Sequence, residues 1–345
     1  SLSITGRTPG SWGYRVRACH ATSCGNWSSV ATVTVEAPPA AAPTLTAPGT
    51  STTGSYTVSW TTVPAAATYQ LQENVNSGSW STIHDASSTS RALSGKTNGA
   101  WSYRVRACNP AGCSGYSTVR VTQVTLPPSS VPVLTVPSSS VTGNYTISWS
   151  SVATATRYEL QERLGTGSWS LVHDAAATSK AISGKASGSW GYRARACNAD
   201  VCGSWSSASA VQVTLPPATA PTLTVPGTNS SGSYTVSWNS VSAATRYELQ
   251  ERLGSGSWSL VHDAAATSKA ISGKTSGSWG YRVRACNVGG CSAYSSIASV
   301  AVTLPPTGVP TLSGPSTGMN GSYTISWTSV SVATRYELQE RLGSG

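Results

Sequence analysis

The chain contains no phenylalanine, a single methionine and few charged residues, which make up only 10% of its 345 positions. A composition dominated by Ser, Thr, Ala and Gly leaves disorder open, because a chain folds only by burying enough apolar surface. Against this, the sequence holds 13 tryptophans and 14 tyrosines. Disordered segments are depleted in aromatic residues, so the sequence predicts folded domains.

Long apolar runs and basic clusters are also absent. No stretch of ~18 consecutive apolar residues occurs, so the sequence predicts no membrane-spanning helix. The formal net charge is +10, but the basic residues are spread along the whole chain. Nucleic-acid binding requires a concentrated basic patch or stripe, and we therefore expect no nucleic-acid partner.

A repeat of 89 residues runs through the chain without an insertion, as the spacing of Trp60, Trp149, Trp238 and Trp327 shows. A long, unbroken period is the signature of tandem modules. We therefore predict three complete modules between two partial ones. Their limits are 1–38, 39–128, 129–217, 218–306 and 307–345.

All eight cysteines occur in C-x4-C pairs, one pair in each repeat. Paired cysteines at a constant position in small modules indicate disulfides, and hence an oxidising compartment. Metal binding is the alternative, with Cys19, His20 and Cys24 as its best case. The other repeats have Asn in place of His20, so we expect neither a metal nor another cofactor. The predicted disulfides are Cys19–Cys24, Cys108–Cys113, Cys197–Cys202 and Cys286–Cys291.

Apolar and polar residues alternate with period 2 throughout the module 218–306. Tyr234, Val236 and Trp238 alternate with Thr and Ser, and no segment shows the 3.6-residue period of a helix. The pattern predicts seven short strands in an all-β sandwich. By the same alternation Cys286 shares a face with Arg284, and we expect it on the outer face of the sixth strand.

These residues resemble a known family. Trp238 on the second strand, Tyr247-x-Leu249 on the third, and Tyr281-Arg-Val-Arg-Ala-Cys-Asn running into Gly-Cys-Ser are similar to a bacterial fibronectin type III domain. The resemblance covers essentially the entire chain and implies an immunoglobulin-like β-sandwich in each module. The chain lacks an Arg-Gly-Asp triplet, so the integrin binding of some animal members is not implied.

One position departs from that family. Its members usually carry a tyrosine six residues before the alanine of the sixth strand, and that tyrosine forms a corner hydrogen bond. The resemblance therefore does not imply such a bond in this chain. The residues at this position are Trp101, Trp190 and Trp279.

Two sets of residues are candidates for catalysis. Neighbours on a strand point to opposite faces, so neither member of a His-Asp pair can orient the other, and we expect turn-side pairs after the fourth strand. Glu248 and Glu251 also fall on opposite faces, and Glu248 is replaced by Gln70 in the first complete repeat. We therefore predict that the chain is not an enzyme. The His-Asp pairs are His84-Asp85, His173-Asp174 and His262-Asp263.

The outward face of the sheet formed by strands three, four, six and seven carries a recurring polar pattern. Arg193 and Arg195 should point outward from the sixth strand, beside Glu159 and Gln161 on the third. We hypothesise that an aromatic residue after each disulfide hairpin stacks on these guanidinium groups, for ~0.5–1 kcal/mol per contact. These aromatic residues are Trp27, Tyr116, Trp205 and Tyr294.

Aromatic residues that follow a glycine-rich turn are candidates for carbohydrate binding, since such turns are exposed. The simpler alternative is that each of them caps the rim of its own core. The candidates are Trp80, Trp169 and Trp258, with Trp205, Tyr116 and Tyr294 as further carbohydrate or interface positions.

Short proline-rich junctions such as Leu215-Pro216-Pro217 separate the modules, and linkers of this kind are semi-rigid. The sequence therefore predicts a structural array, namely a stalk, spacer or fibre that is extracellular or at a cell surface. Its partners would be neighbouring copies or adjoining modules. An adhesive or carbohydrate-binding array that recognises surface glycans is the alternative.

The two partial modules cannot bury their sheet faces alone. The segment 307–345 corresponds to the first three strands of a module and 1–38 to the last three. We expect the chain to continue in a longer array. The alternative is that the two segments complement each other between subunits.

Overall fold

The computed structural model describes residues 1–199, 201–318 and 320–343. Within these ranges all regular structure is β-strand. Position 200, in the module 129–217, and positions 319, 344 and 345, in the last partial module, lie outside the described residues. None of the described segments forms a helix with the length and apolarity needed to cross a bilayer.

The strands follow the repeat. The N-terminal partial module contains β1 Gly10–Tyr14, β2 Cys19–His20, β3 Ser23–Cys24 and β4 Ala31–Val35. The module 39–128 contains β5 Leu45–Thr46, β6 Thr50–Ser51, β7 Tyr56–Trp60, β8 Thr68–Val75, β9 Ser81–Ala86, β10 Ser90–Leu93, β11 Gly99–Asn109, β12 Gly112–Cys113 and β13 Arg120–Val124. The module 129–217 contains β14 Leu134–Thr135, β15 Ser139–Ser140, β16 Tyr145–Trp149, β17 Arg157–Leu164, β18 Ser170–Ala175, β19 Ser179–Ile182, β20 Gly188–Cys197 and β21 Ser209–Val213.

The remaining strands repeat that pattern. The module 218–306 contains β22 Leu223–Thr224, β23 Thr228–Asn229, β24 Tyr234–Trp238, β25 Arg246–Leu253, β26 Ser259–Ala264, β27 Ser268–Ile271, β28 Gly277–Asn287, β29 Gly290–Cys291 and β30 Ala298–Val302. The C-terminal partial module contains β31 Leu312–Ser313 and β32 Ser326–Trp327.

Each complete module is a sandwich of two sheets. In the module 218–306 one sheet has the order β22-β24-β27, and the other has the order β23-β30-β28-β25-β26, with β29 paired to β28. The predicted all-β sandwich modules are confirmed, and the sheet formed by strands three, four, six and seven is the larger of the two. The boundaries assigned to the modules from the repeat stay a prediction.

The first strand of the module consists of two short segments. The segment β22 pairs antiparallel with β24, whereas β23 pairs parallel with β30 in the opposite sheet. Pro226 lies between the two segments and has no backbone N–H to donate. The chain therefore changes sheets at the proline, and its two short edge segments serve both layers.

The core of each module is built from the inward residues that the period-2 pattern marks. In the module 218–306 these side chains are buried between the two sheets, where each large one contributes about 1.5–3 kcal/mol. The central members are Val236, Trp238, Tyr247, Leu249, Tyr281 and Val283. The equivalent positions form the cores of the other two complete modules.

Because phenylalanine is absent, tyrosine fills the centre of the core and brings a hydroxyl that needs a partner. Tyr281 is fully buried, and its hydroxyl lies 2.8 Å from that of Tyr234 and 3.3 Å from Glu251 Oε2. Glu251 is in turn paired with Lys274. Burial raises the pKa of Tyr281, and the neighbouring Tyr234 and Glu251 raise it further. The sandwich thus carries a satisfied polar network at one end of its core.

The two partial modules form only fragments of a sandwich. In the first, β1 pairs with β4, and in the last, β31 pairs with β32. Trp327 is 38% exposed, whereas the equivalent Trp238 of a complete module is 5% exposed. Both fragments therefore leave apolar residues uncovered. The continuation of the array, and its alternative of complementation between subunits, stay predictions.

Candidate functional site

In each complete module a disulfide hairpin lies at one end of the larger sheet, which we call the outer sheet. The eight cysteines form the four predicted disulfides, which are confirmed. Cys286 lies directly opposite Cys291 across the hairpin. Cys286 lies at an outward position of its strand, as predicted. It is nevertheless fully buried, because the hairpin and the side chain of Glu248 cover it. Cys291 Sγ lies 3.8 Å from Glu248 Oε1.

The outer sheet of the module 129–217 carries a ladder of alternating guanidinium and aromatic groups. Arg163 lies 4.4 Å from the ring of Trp169, and Arg193 lies at the same distance from that ring. Arg193 and Arg195 then lie 4.7 and 4.4 Å from the ring of Trp205. The predicted stacking of Trp205 on the arginines of the sixth strand is confirmed.

Register explains how distant residues meet in the ladder. The strands β17 and β20 pair so that Glu159 faces Arg195 and Gln161 faces Arg193. Arg193 donates through Nε and Nη2 to Gln161 Oε1, at 2.9 and 2.7 Å. Arg195 pairs with Glu159 at 2.7 Å. These cross-strand bonds hold the planes of the guanidinium groups in place for stacking.

The ladder recurs with one substitution in the module 39–128. In the module 218–306, Arg252 and Arg282 flank Trp258 at 4.5 and 4.4 Å, and Arg282 lies 4.1 Å from Tyr294. In the module 39–128, Arg104 lies 4.3 Å from Trp80 and 4.1 Å from Tyr116. There the position of Arg163 is occupied by Asn74, so the ladder is one arginine shorter.

The tryptophans proposed for carbohydrate binding are members of this ladder. Trp80, Trp169 and Trp258 are half-buried, and each has at least one guanidinium group within 4.5 Å of its ring centre. Their packing partners are thus side chains of the outer sheet. A role of these residues, and of Trp205, Tyr116 and Tyr294, in binding carbohydrate or a partner stays a prediction.

An ion-pair cluster closes the ladder next to the disulfide. Glu248 pairs with Arg284 and with Arg246, and Arg246 also pairs with Asp263. Burial of the Glu248 carboxyl opposes its ionisation, but hydrogen bonds from Arg284 and Arg246 outweigh that effect and lower the pKa of Glu248 below its usual value. In the module 39–128 the cluster is neutral at this position, since Arg106 donates to Gln70 Oε1.

We expect a small loss of stability in acid that depends on Glu248. Its folded-state pKa is lowered, so the stabilisation is present above the pKa of the unfolded chain and disappears as pH falls below about 4.3. The loss should stay under about 1 kcal/mol, because the side chains of Arg246 and Asp263 in the same cluster are 40% and 45% exposed and water screens their charges. Thermal melting of the chain between acidic and neutral pH checks this. The variant Glu248→Gln, which copies the natural Gln70, should flatten the profile, and an unchanged profile would contradict the assignment.

The candidate catalytic pairs are separated by the sheet, as their adjacency on a strand predicts. His173 packs edge-on against the core Trp149, with ring centres 5.2 Å apart, whereas Asp174 pairs with Arg157 on the outer face. Their predicted location was wrong, because both residues lie within β18 and not in a turn after it. Glu248 and Glu251 also lie on opposite faces, each in its own ion pair. The prediction that the chain is not an enzyme stays a prediction.

A tryptophan corner replaces the tyrosine corner of the family that the sequence resembles. The indole N–H of Trp190 donates to the carbonyl of Ala186 at 3.0 Å, and that of Trp279 donates to Thr275 at the same distance. Lys185 lies 4.3 Å from the ring of Trp190. The corner hydrogen bond therefore exists in this chain, with an indole nitrogen as the donor.

Replacing Trp190 with phenylalanine should destabilise its module by about 1 kcal/mol, because the ring remains and one hydrogen bond is lost. Chemical unfolding followed by circular dichroism measures this. Trp169→Phe is the matched control, since Trp169 contributes stacking and not a corner bond. Equal stability of the wild type and Trp190→Phe would contradict a structural role for the corner.

The leucine at the start of each proline-rich junction between two complete modules is hydrogen-bonded through its backbone to both of them. The backbone N–H of Leu126 donates to Asn98 Oδ1 of its own module at 2.5 Å. The carbonyl of the same Leu126 accepts a hydrogen bond from Asn198 Nδ2 of the next module at 2.6 Å. One residue of the linker is thus bonded on both sides to folded modules.

The same bonds recur at the next junction. The N–H of Leu215 donates to Ser187 Oγ at 3.0 Å, and its carbonyl accepts from Asn287 Nδ2 at 2.9 Å. At the first junction, Asn109 Nδ2 donates to the carbonyl of Ala37 at 2.7 Å. In the three complete modules, the Asn that follows the first cysteine of the hairpin therefore places the disulfide hairpin against the preceding linker.

Close packing accompanies these bonds. A side chain at Gly203, in the hairpin, would bring its Cβ within 2.6 Å of the carbonyl oxygen of Pro128, so a glycine is required there. Pro128 itself is buried. The recurring Asn of the hairpin is visible in the sequence, but its partner lies across a module boundary that sequence spacing does not reveal. Gly203 does not recur in the other complete modules, since Ser114 and Ser292 occupy the equivalent positions.

No protein-family model matches the chain, and no curated protein matches it. Solved structures do match, among them the crystal structure of chicken CNTN1 FN1–FN3 domains. That match has 16% identity and a TM-score of 0.30, and it covers 76% of this chain and 99% of that one. A similarity this distant carries no argument about function. The fold is established by the strand order and register described above.

Proposed function

We propose that the chain is a structural repeat array of the fibronectin type III kind found in exported bacterial proteins, acting as an extracellular or cell-surface stalk, spacer or fibre. The observation that carries the proposal is the doubly bonded linker residue. Leu126 and Leu215 each have the N–H bonded to one module and the carbonyl to the next. A linker tied in this way resists bending.

A bend between two modules would break hydrogen bonds of the linker leucine. Rotation at a joint about Leu215 must break the bond from Asn287 or the bond to Ser187, at about 0.5–1.5 kcal/mol each. The prolines that follow the leucine further restrict the backbone. A chain in which this joint recurs at every period would hold its modules at a constant orientation, which is the property that a stalk or fibre needs.

The location follows from the cysteines. All eight are disulfide-bonded, and disulfides persist in oxidising compartments. We therefore place the protein outside the reducing cytosol, and its partners are adjoining modules or neighbouring copies. The alternative function, a platform for neutral sugars, needs uncovered aromatic ring faces, and the ladder places guanidinium groups on those rings.

Electron microscopy of the purified chain over a range of concentrations tests the proposal. Elongated particles whose length scales with the number of complete modules are expected, and ordered filaments would indicate the fibre form. A variant that lacks residues 129–217 should be shorter by one module. Compact particles, or a length unaffected by this deletion, would contradict a structural role.

A further inference from the structure

In each of two ladders, one arginine has neither an acidic partner nor a hydrogen-bond acceptor among the described residues. Among residues 1–199, 201–318 and 320–343, Arg163 and Arg252 form no ion pair, although other arginines of the same sheets do. Arg252 Nε is a buried donor without an acceptor in the described part of the chain. Within the described residues, Arg163 and Arg252 contact the rings of Trp169 and Trp258 and donate no hydrogen bond to another group of the chain.

A glycine on the neighbouring strand leaves the space that this arginine side chain occupies. A Cβ at Gly191 would lie 3.5 Å from Arg163 Cγ and 3.6 Å from the ring of Trp169, so both side chains pack directly on the glycine. Gly280 has the same relation to Arg252, whose Cγ would lie at 3.6 Å. The stacked arginine and tryptophan therefore pack against the backbone of the glycine.

Both positions change together in the module 39–128. There the arginine is replaced by Asn74 and the glycine by Ser102. Asn74 is buried, and it makes no stack with Trp80 among the contacts of the described residues. The arginine–glycine pair is thus a feature of two modules, separate from what the sandwich itself requires.

The second arginine beside each tryptophan also keeps donors available. Arg193 uses Nε and one N–H of Nη2 for Gln161, which leaves Nη1 without a described partner. A guanidinium group has five N–H donors and binds carboxylates and sulfates through two of them at once. Among the described residues, the outward face of this sheet carries four arginines and two carboxylates, because Glu162 of the same strand lies inward beside Lys185. The outward residues are Arg157, Arg163, Arg193 and Arg195, against Glu159 and Asp174.

We propose that the Arg163–Trp169–Arg193 and Arg252–Trp258–Arg282 ladders bind an acidic polysaccharide through its carboxylate or sulfate groups. The indole spaces the two guanidinium groups and fixes their planes, so each of these two modules offers two oriented anion-binding groups. Sites that recur in consecutive modules suit a polymer, because several weak contacts on one chain combine into stable binding. The inference concerns a surface of single modules and does not depend on the stiffness of the junctions.

The test measures the affinity of the full chain for polygalacturonate, for heparin and for neutral dextran at about 150 mM salt. The double variant Arg163→Asn/Arg252→Asn installs the residue found naturally in the module 39–128. It should weaken binding about tenfold, since two charge-assisted contacts are lost. The charge-matched control is Lys180→Asn/Lys269→Asn, which removes two charges from the other sheet and should change affinity by less than about twofold.

The outcomes separate the ligand sources and the rival explanations. Retention of polygalacturonate identifies carboxylates as the ligand, and retention of heparin alone identifies sulfates. The variant Arg163→Lys/Arg252→Lys keeps the charge but loses the planar guanidinium group that binds an anion through two N–H groups. It should bind about threefold more weakly than the wild type. This variant keeps the test valid if the Asn variant does not fold. Absence of wild-type binding to both anionic polymers, equal losses in the arginine and lysine variants, or equal binding to dextran would overturn the proposal.

Discussion

Replacing Trp149 with alanine is expected to destabilise the module 129–217 by about 3–5 kcal/mol. This is a large part of the free energy of unfolding of a module of this length, which is roughly 4–13 kcal/mol. Trp149 is 5% exposed, and its ring lies 6.1 Å from that of Tyr158 and 5.2 Å from that of His173. Its indole N–H is buried without a hydrogen-bond partner. The cost therefore comes from lost packing and the cavity, and not from a broken hydrogen bond.

Calorimetry of the full chain measures this effect, because one of the modules should melt well before the others. Two further variants test whether lost packing causes the destabilisation. Trp149→Phe keeps a ring and removes an unsatisfied donor, so it should cost much less than alanine. Trp327→Ala makes the same change at the equivalent position of the partial module, where the ring is already 38% exposed. Similar losses at positions 149 and 327 would contradict the account of the core.

The second large effect is expected at the junctions. The double variant Asn198→Asp/Asn287→Asp keeps each Oδ1, which accepts the N–H of Val201 or of Gly289 inside the hairpin. It removes the Nδ2 donor and places a carboxylate against the carbonyl of Leu126 or Leu215. Each junction should lose about 1 kcal/mol or more, and the angles between modules should spread while the modules stay folded.

Small-angle X-ray scattering checks this prediction through the maximum dimension and the width of the distance distribution. Asn229→Asp is the matched control, since the amide of Asn229 donates to the carbonyl of Ser233 within its own module. The control should scatter like the wild type. If the junction variant also scatters like the wild type, the asparagines do not set the angle between modules.

Most of the sandwich could be predicted from the sequence, because its determinants are local. Alternation with period 2 separates Trp238 and Tyr247 from Arg282 and Arg284 without any knowledge of the partner strand. The disulfides could also be predicted from the sequence, since each joins two cysteines that are 5 positions apart. The stacking of Trp205 on Arg193 and Arg195 followed from the same alternation, once the sixth strand was known to lie beside the third.

The remaining features depend on contacts between residues that are far apart in the sequence. The Tyr234–Tyr281 pair joins two sheets, and nothing local indicates that a buried tyrosine needs a second hydroxyl. Pairing of Asn287 with Leu215 crosses a module boundary. In the sequence, Asn at this position indicates only that the histidine of the first hairpin does not recur. Recurrence at 109, 198 and 287 was the available signal, and it reflects the junction.

The central claim is that the bonded junctions hold consecutive modules at a constant angle. Single-particle electron microscopy of the full chain tests it most directly, through two-dimensional class averages. The account predicts averages in which all three complete modules are resolved together, spaced by roughly 35 Å, the length of an 11-residue strand such as β28. Averages in which only one module is sharp and its neighbours are blurred would contradict the claim.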